Sequence, residues 1–305
     1  MTTRRRIAVG PDDAPEWLRE AVRSGGADVV GPVEASGLVW GAAHDVTGLR
    51  EWLGRAPQIE WVQLPFAGIE NFVPVLDDRR KWTSGKGVYA EPVAELCLAF
   101  LLAGMRHVVG YARTDHWSQD HGRNLFDARV TIVGGGGITE VLVGLLAPFR
   151  VNVTVVRARV APMPGVHEVV GPDRLHDAIS DADAVVLACA LTPKTERMLG
   201  EVEFALMRDD AWVINVGRGR LIDTEALVRA LTTGVIAGAA LDVTDPEPLP
   251  ADHPLWRLEN CVITPHIGNT REMAVPLLSA RVRENCRRWI AGESLIGPVD
   301  VALGY

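Results

Sequence analysis

Short runs of Val, Ile, Leu and Ala alternate along this chain with stretches whose apolar residues recur every three or four positions. The runs at residues 6–9, 28–30, 37–40 and 59–64 predict strands, whereas 14–24 and 46–55 carry helical spacing. Together they describe a small α/β unit. Residues 91–111 also have helical spacing and are apolar along much of their length, as expected of a helix buried between two domains. A polar stretch, 114–124, then gives way to a second alternating series. Its strands are predicted at 130–133, 151–156, 184–189, 212–216, 237–242 and 261–264, with helical segments between them. One helix is expected over 223–232, with Asp223 placed to cap it. Six strands alternating with helices predict a doubly wound parallel sheet. Residues 270–290 return to helical spacing and are expected to rejoin the first unit. The predicted organisation is therefore one domain over 1–98, completed by 269–305, and a second over 99–268. No internal repeat or low-complexity segment interrupts it.

Composition narrows the class. The chain has 305 residues, enough for two domains of ordinary size, with 48% hydrophobic and 23% charged residues. A net charge of −8 argues against nucleic acid as a partner, since a nucleic-acid binder needs a basic face. The longest apolar run, 96–105, is too short to span a bilayer, so no membrane association is expected. Cys97, Cys189, Cys261 and Cys286 are too far apart for a C-x-x-C redox or zinc motif, and no metal is expected. Three of them sit in apolar segments as inert thiols, which points to a reducing compartment. The basic N-terminus runs into Ile7-Ala8-Val9-Gly10-Pro11 and then acid, without the apolar core of a signal peptide. A cytoplasmic protein is the expectation.

Thr131-Ile132-Val133-Gly134-Gly135-Gly136-Gly137-Ile138-Thr139 stands where the second series passes from its first strand to a helix. Gly134 and Gly136 fill the first two positions of a G-x-G-x-x-G dinucleotide fingerprint. The first permits the tight turn, and the second lets a pyrophosphate approach the backbone at a helix N-terminus. Thr139 occupies the third position, where glycine normally allows close strand–helix packing, and suggests a slightly displaced helix. In NAD-binding turns of this kind a carboxylate about 20 residues beyond the glycines accepts from the adenosine ribose hydroxyls. Here the next strand runs into Arg157, Arg159 follows, and no Asp or Glu appears from 151 through 167, the first acid being Glu168. A guanidinium pairs with a 2′-phosphate that a carboxylate would repel, so NADP is the expected cofactor, with NAD as the alternative.

Three strings in the last third carry the candidate chemistry: Asn215-Val216-Gly217-Arg218-Gly219, Asp245-Pro246-Glu247-Pro248-Leu249-Pro250 and Thr264-Pro265-His266-Ile267-Gly268. Each places one functional group at a strand end or in the loop after it. Singly, Arg218 reads as an exposed turn residue, Glu247 as a solvated loop residue and His266 as a satisfied core histidine. Together, downstream of a glycine-rich strand–turn–helix, they suit hydride transfer to a ketone beside a carboxylate. Arg218 offers a two-pronged grip on the carboxylate and polarises the ketone oxygen. His266 donates the proton that completes the alcohol, and Glu247 fixes its tautomer. No Ser or Cys stands in a G-x-S-x-G turn, which excludes a nucleophile-elbow triad. In the first unit, Leu64-Pro65-Phe66-Ala67-Gly68 is a tight turn after a strand, where backbone amides can face a ligand. Phe66, Trp82 and Tyr89 are open to two readings, pocket wall or core aromatic.

With these motifs the chain resembles the D-isomer-specific 2-hydroxyacid dehydrogenases, especially the short glyoxylate/hydroxypyruvate-reductase-like members. The resemblance extends over nearly the whole length. It also takes in Val88-Tyr89-Ala90-Glu91-Pro92-Val93-Ala94-Glu95, Leu191-Thr192-Pro193-Lys194-Thr195 and Gly238-Ala239-Ala240-Leu241-Asp242-Val243. It implies a Rossmann-type domain inserted in a smaller, discontinuous flavodoxin-like substrate domain, with the active site in the cleft between them. Arg218, Glu247 and His266 match the catalytic Arg, Glu and His of the family. Gly134, Gly136, Gly137, Ile138, Ala190, Leu191 and Val216 fall at cofactor-contacting positions, and Asp242 at the position that meets the nicotinamide end. Phe66, Ala67 and Gly68 match the loop whose amides hold the substrate carboxylate. The implied substrate is a small 2-keto or 2-hydroxy acid such as glyoxylate or hydroxypyruvate, and the implied assembly is a homodimer. Three departures are plain: Thr139 for the third glycine, Leu96 for a His, and Ala190 for a Pro. The first and last bear on cofactor binding, not on the chemistry. A dinucleotide-sensing scaffold of the corepressor type is the alternative; it would tolerate loss of the catalytic three and would need a peptide groove. An amino-acid-regulated phosphoglycerate dehydrogenase would carry a further C-terminal domain, for which a chain ending at Tyr305 leaves no room.

Overall fold

The computed structural model describes residues 5–302, which divide into two compact units, 5–89 with 270–302 and 90–269. The first unit opens with β1 (Arg6–Gly10), α1 (Glu16–Ser24), β2 (Asp28–Val29), β3 (Gly37–Trp40), α2 (Val46–Arg55), β4 (Trp61–Gln63) and β5 (Lys81–Thr83). Among the described residues these strands form a parallel sheet in the order β2-β1-β3-β4-β5, the flavodoxin-like winding. Its inner strands are apolar and buried on both faces, as a helix-covered parallel sheet requires. Asp45 caps α2, its carboxylate accepting from Gly48 N at 2.8 Å. β5 was not expected from the sequence. It has three residues, Lys-Trp-Thr, too few to establish a period, and it is recruited at the sheet edge by pairing with β4.

The second unit begins with α3 (Ala90–Met105) and α4 (Val108–Arg113), where one continuous helix over 91–111 was predicted. The break falls at His107, whose backbone is left-handed at φ +52. Then follow β6 (Arg129–Val133), α5 (Gly137–Leu146), β7 (Asn152–Val156), β8 (Glu168–Val170), α6 (Leu175–Ser180) and β9 (Ala184–Leu187). The series ends with α7 (Glu201–Leu206), β10 (Trp212–Asn215), α8 (Thr224–Thr233), β11 (Gly238–Leu241) and β12 (Cys261–Ile263). Among the described residues the parallel sheet has seven strands, not six, in the order β12-β11-β10-β9-β6-β7-β8. The additional strand, β8, is a short edge strand whose first residue is exposed, so neither length nor periodicity marked it. The winding reverses between β6 and β9, which places the carboxyl end of β6 at a topological switch point, where doubly wound folds bind ligands. As predicted, Asp223 caps α8, accepting from Ala226 N at 2.9 Å, and Gly234 closes that helix at φ +70.

The boundary expected at residue 98 falls inside α3 and moves to 89/90. Ala94, Cys97, Phe100 and Leu101 of that helix are buried in one cluster with Ile132, Leu142 and Val143, so the whole helix goes with the second unit. The later break is at 269/270, one residue beyond the expected position. From there α9 (Arg271–Ala291) completes the first unit against α1. A Cβ on Gly25 would lie 2.6 Å from Arg283 O and from Cys286 Cβ, so a side chain at the end of α1 would prevent this approach. Asn285, fully buried on α9, donates to Gln63 Oε1 of β4 at 2.7 Å. Among the described residues no helix is long and apolar enough to cross a membrane.

Candidate active site

Three neighbouring strands of the second unit deliver the three candidate catalytic side chains. Arg218 follows β10, Glu247 follows β11 and His266 follows β12. Behind Arg218, the buried Asn215 side chain closes the turn. Its Nδ2 donates to Arg218 O at 2.9 Å and its Oδ1 accepts from Gly217 N at 3.1 Å. Gly219 lies so close to the Thr244 backbone that a Cβ would collide with it. The Arg218 side chain is partly exposed and donates from Nη1 to Gly217 O at 2.8 Å.

His266 Nδ1 and Glu247 Oε1 are 2.6 Å apart, with half of the imidazole and two-fifths of the carboxylate side chain solvent-accessible. This pairing fixes the ring orientation and leaves Nε2 as the nitrogen not engaged by Glu247. His266 itself sits at φ +55, an unusual conformation for a residue with a side chain, and its backbone N–H donates to Asp242 O at 2.9 Å. Asp242, 3% exposed, holds the loop more directly. Its Oδ1 accepts from Thr264 Oγ1 at 2.5 Å and Ile267 N at 2.8 Å, and its Oδ2 accepts from Gly268 N at 2.8 Å. A carboxylate has about four acceptor positions, so one remains for any other ligand. The residue matched to the nicotinamide end is thus also the clamp of the histidine loop.

The glycine turn occupies the carboxyl end of β6. Gly134 has φ +115, and a Cβ there would lie 2.5 Å from Ala188 O, so both backbone and space exclude other residues. Gly136 is exposed, at the N-cap of α5, and a Cβ would meet nothing within 4 Å. The first helical bond is Glu140 N to Gly136 O, so the amides of Gly137, Ile138 and Thr139 have no acceptor in the helix. An open cradle before amides without an intrahelical acceptor, at the start of a ten-residue helix, fits a pyrophosphate. Thr139, fully buried, donates from Oγ1 to Gly134 O at 2.8 Å; in place of the third glycine it ties the helix to the turn.

Arg157 follows β7, its backbone fixed by Arg157 N donating to Val170 O at 3.0 Å, and Arg159 is exposed beyond it. Among the described residues neither guanidinium has an acidic partner, whereas Glu168 is paired with Arg174 at 3.3 Å. Ala190 and Leu191 lie in the loop after β9, where Thr195 Oγ1 donates to Ala190 O at 2.8 Å and accepts from Thr192 N at 2.8 Å. Val216 is buried behind the arginine turn.

Phe66, Ala67 and Gly68 belong to the first unit, in the loop after β4. Gly85 N donates to Phe66 O at 2.9 Å and Tyr89 Oη donates to Pro65 O at 2.9 Å, which hold the turn from one side. Phe66 is exposed, whereas Trp82 and Tyr89 are buried and read as core aromatics of that unit. All four cysteines are free thiols; burial pushes Cys97, Cys261 and Cys286 up to about 12 and Cys189 up to about 11. Among the described residues no group of three His, Cys, Asp or Glu side chains is placed to hold a metal ion.

Sequence reasoning passed over Asn215, Thr264 and Gly135. The first two carry the turns beneath Arg218 and His266, and the signal available was their place in the same short strings as the candidate catalytic residues. Gly135, the second residue of the glycine run, faces Arg157, a relation that only the fold reveals.

The sequence profile of the D-isomer specific 2-hydroxyacid dehydrogenase NAD-binding domain matches residues 98–268. The chain is 36% identical over 300 residues to an uncharacterized protein of Corynebacterium melassecola, covering 95% of this chain and 97% of that one. It is 33% identical over 221 residues to the human glyoxylate reductase/hydroxypyruvate reductase, covering 68% of this chain and 66% of the human protein. Among solved structures, the D-isomer specific 2-hydroxyacid dehydrogenase of Xanthobacter autotrophicus Py2, in complex with NADPH and MES, superposes with a TM-score of 0.85. It shares 26% identity, over 98% of this chain and 99% of that one.

Proposed function

Because this chain belongs to the D-isomer-specific 2-hydroxyacid dehydrogenase family, we propose that it reduces a small 2-keto acid to the D-2-hydroxy acid with NADPH. Glyoxylate and hydroxypyruvate, which name the activity of the human relative, are the first substrates to test. The observation that carries the reading is the 2.6 Å pairing of His266 with Glu247, delivered with Arg218 by three neighbouring strand ends. Arg218 binds the substrate carboxylate through its planar fork and polarises the keto oxygen. With Nδ1 engaged by Glu247, His266 presents Nε2 and gives its proton to that oxygen as the C=O becomes an alcohol. The amides of the 66–68 turn are assigned to a carboxylate.

The open cradle at Gly136 and the amides of Gly137 and Ile138 would hold the cofactor pyrophosphate, and Arg157 with Arg159 the adenosine 2′-phosphate. The cofactor supplies the hydride. Ala190, Leu191, Val216 and the remaining acceptor position of Asp242 are assigned to its nicotinamide half. We further assign the chain to a cytoplasmic homodimer. Its free thiols suit a reducing compartment, and Val108, Trp117 and Phe126 offer exposed apolar surface on the nucleotide-binding unit. Sedimentation at micromolar concentration giving a monomer would remove the dimer.

Two measurements test the chemistry. General acid catalysis contributes about two to four orders of magnitude, so His266→Ala should lose a comparable factor in kcat in a screen of 2-keto acids. Near-wild-type turnover by that variant would refute the assignment. A charged hydrogen bond is worth about 1.5–3 kcal/mol, which corresponds to a roughly ten- to hundredfold higher kcat/KM with NADPH than with NADH. Equal values would overturn the cofactor choice.

A further inference from the structure

The guanidinium of Arg157 lies against the second glycine of the turn. A Cβ built on Gly135 would be 2.7 Å from Arg157 Cδ, 2.8 Å from Nε and 3.0 Å from Cζ. Such distances force a displacement, and only one partner can move. The Arg157 backbone is held between β7 and β8 by its bond to Val170 O, whereas the outer part of its side chain is flexible. Gly135 is not in the left-handed region, unlike Gly134 at φ +115, so its backbone accepts any residue. A side chain at 135 would therefore leave the turn intact and push the guanidinium away.

Among the described residues the charge of Arg157 is also uncommitted, in contrast with other arginines of the same unit. Arg150 is paired with Asp127 at 2.7 Å, Arg174 with Glu168 at 3.3 Å and Arg220 with Glu196 at 2.6 Å. Among the described residues Arg157 has no acidic partner and is set in place by packing on a bare Cα. A planar fork already held in one orientation loses less freedom when it pairs with an anion.

We propose that Gly135 is a specificity-determining position: by lacking a side chain it gives the Arg157 stem its resting place beside the dinucleotide turn, and so sets the preference for a 2′-phosphorylated cofactor. The inference rests on the assignment of Arg157 to the 2′-phosphate and adds a second residue whose effect is indirect.

Equilibrium binding of NADP⁺ and NAD⁺ to the full chain, by titration calorimetry, separates the two claims without relying on turnover. The unmodified protein should bind NADP⁺ roughly tenfold or more tightly than NAD⁺, and Arg157→Ala should abolish the difference. Gly135→Ala and Gly135→Ser should each lose most of that preference through weaker NADP⁺ binding, with NAD⁺ affinity changed less than about twofold and the thermal midpoint unchanged within about a degree. Full retention of the preference by both Gly135 variants, while Arg157→Ala loses it, would overturn the role of Gly135 and leave that of Arg157 standing. Equal weakening of NAD⁺ and NADP⁺ binding would mean a deformed turn and would overturn it as well. No preference in the unmodified protein would instead refute the assignment of Arg157 itself.

Discussion

The two halves of the seven-stranded sheet achieve order at their carboxyl ends by opposite means. After β6 the chain is defined by missing side chains. Gly134 would collide with Ala188 O, Gly135 would displace Arg157, and Gly136 leaves open space before the amides of α5. After β10, β11 and β12 it is defined by side chains that hold backbone. Asn215 closes the Arg218 turn, Asp242 gathers three donors of the 264–268 loop, and Glu247 fixes His266. A cradle for a polyanion needs close approach and unpaired amides. A proton donor needs an orientation, which bare backbone cannot supply. Gly219, pressed against Thr244, is where the second region borrows the device of the first.

The sharpest way to break the contrast is at Asp242. Asparagine keeps the volume but turns one acceptor oxygen into a donor facing Ile267 N or Gly268 N, and the loop carrying His266 loses charge-assisted bonds worth about 1.5–3 kcal/mol each. Asp242→Asn is expected to lower kcat by roughly ten- to a hundredfold, with a smaller change in the cofactor dissociation constant. Should cofactor affinity fall by that factor while the single-turnover rate stays level, the clamp would matter less than the nicotinamide contact.

A smaller effect is expected within the glycine turn, where two positions should part company. Gly134→Ala forces a side chain into a left-handed backbone against a carbonyl, at about 1–3 kcal/mol. The thermal midpoint of a unit of this size should drop by about 2–4 °C per kcal/mol. Gly136→Ala meets nothing, so its thermal midpoint should stay within about a degree of the parent. Its methyl nevertheless enters the cradle, and NADP⁺ binding should weaken. Equal loss of stability in both variants would mean that Gly136 is as confined as Gly134.

How much of this was legible in the sequence depended on which interactions did the ordering. Strands such as β9 and β10, buried on both faces, and helices with a capping Asp, such as α8, are specified by their own residues and were found within a few positions. β5 and β8 are three-residue edge strands that exist because a neighbour pairs with them, and nothing local announced either. The interruption after α3 follows from a histidine in a conformation favoured by glycine, which residue type does not reveal. Arg218, Glu247 and His266 stood out because reactive groups in short strings are conspicuous. The loop bonds of Asp242 and the packing of Arg157 on Gly135 join residues 22 or more positions apart, and only the folded sheet brings them together.

The smallest expected effect concerns Thr139, where the two regions meet in one residue: a side chain inside the turn otherwise built from glycines. Its hydroxyl bonds Gly134 O across the first turn of α5, in a site with no solvent access. Thr139→Val preserves shape and β-branching and removes the donor, leaving a buried carbonyl under-satisfied at about 1–3 kcal/mol. Thr139→Gly restores the residue common at this position but loses the same bond, the buried side chain and a further ~0.3 kcal/mol of helix propensity. Both should therefore melt below the parent, the glycine variant lower, and cofactor affinity should change little because the hydroxyl faces inward. A Thr139→Gly variant that melted at or above the parent temperature would mean that the threonine is merely tolerated there, and that close strand–helix packing matters more than the bond.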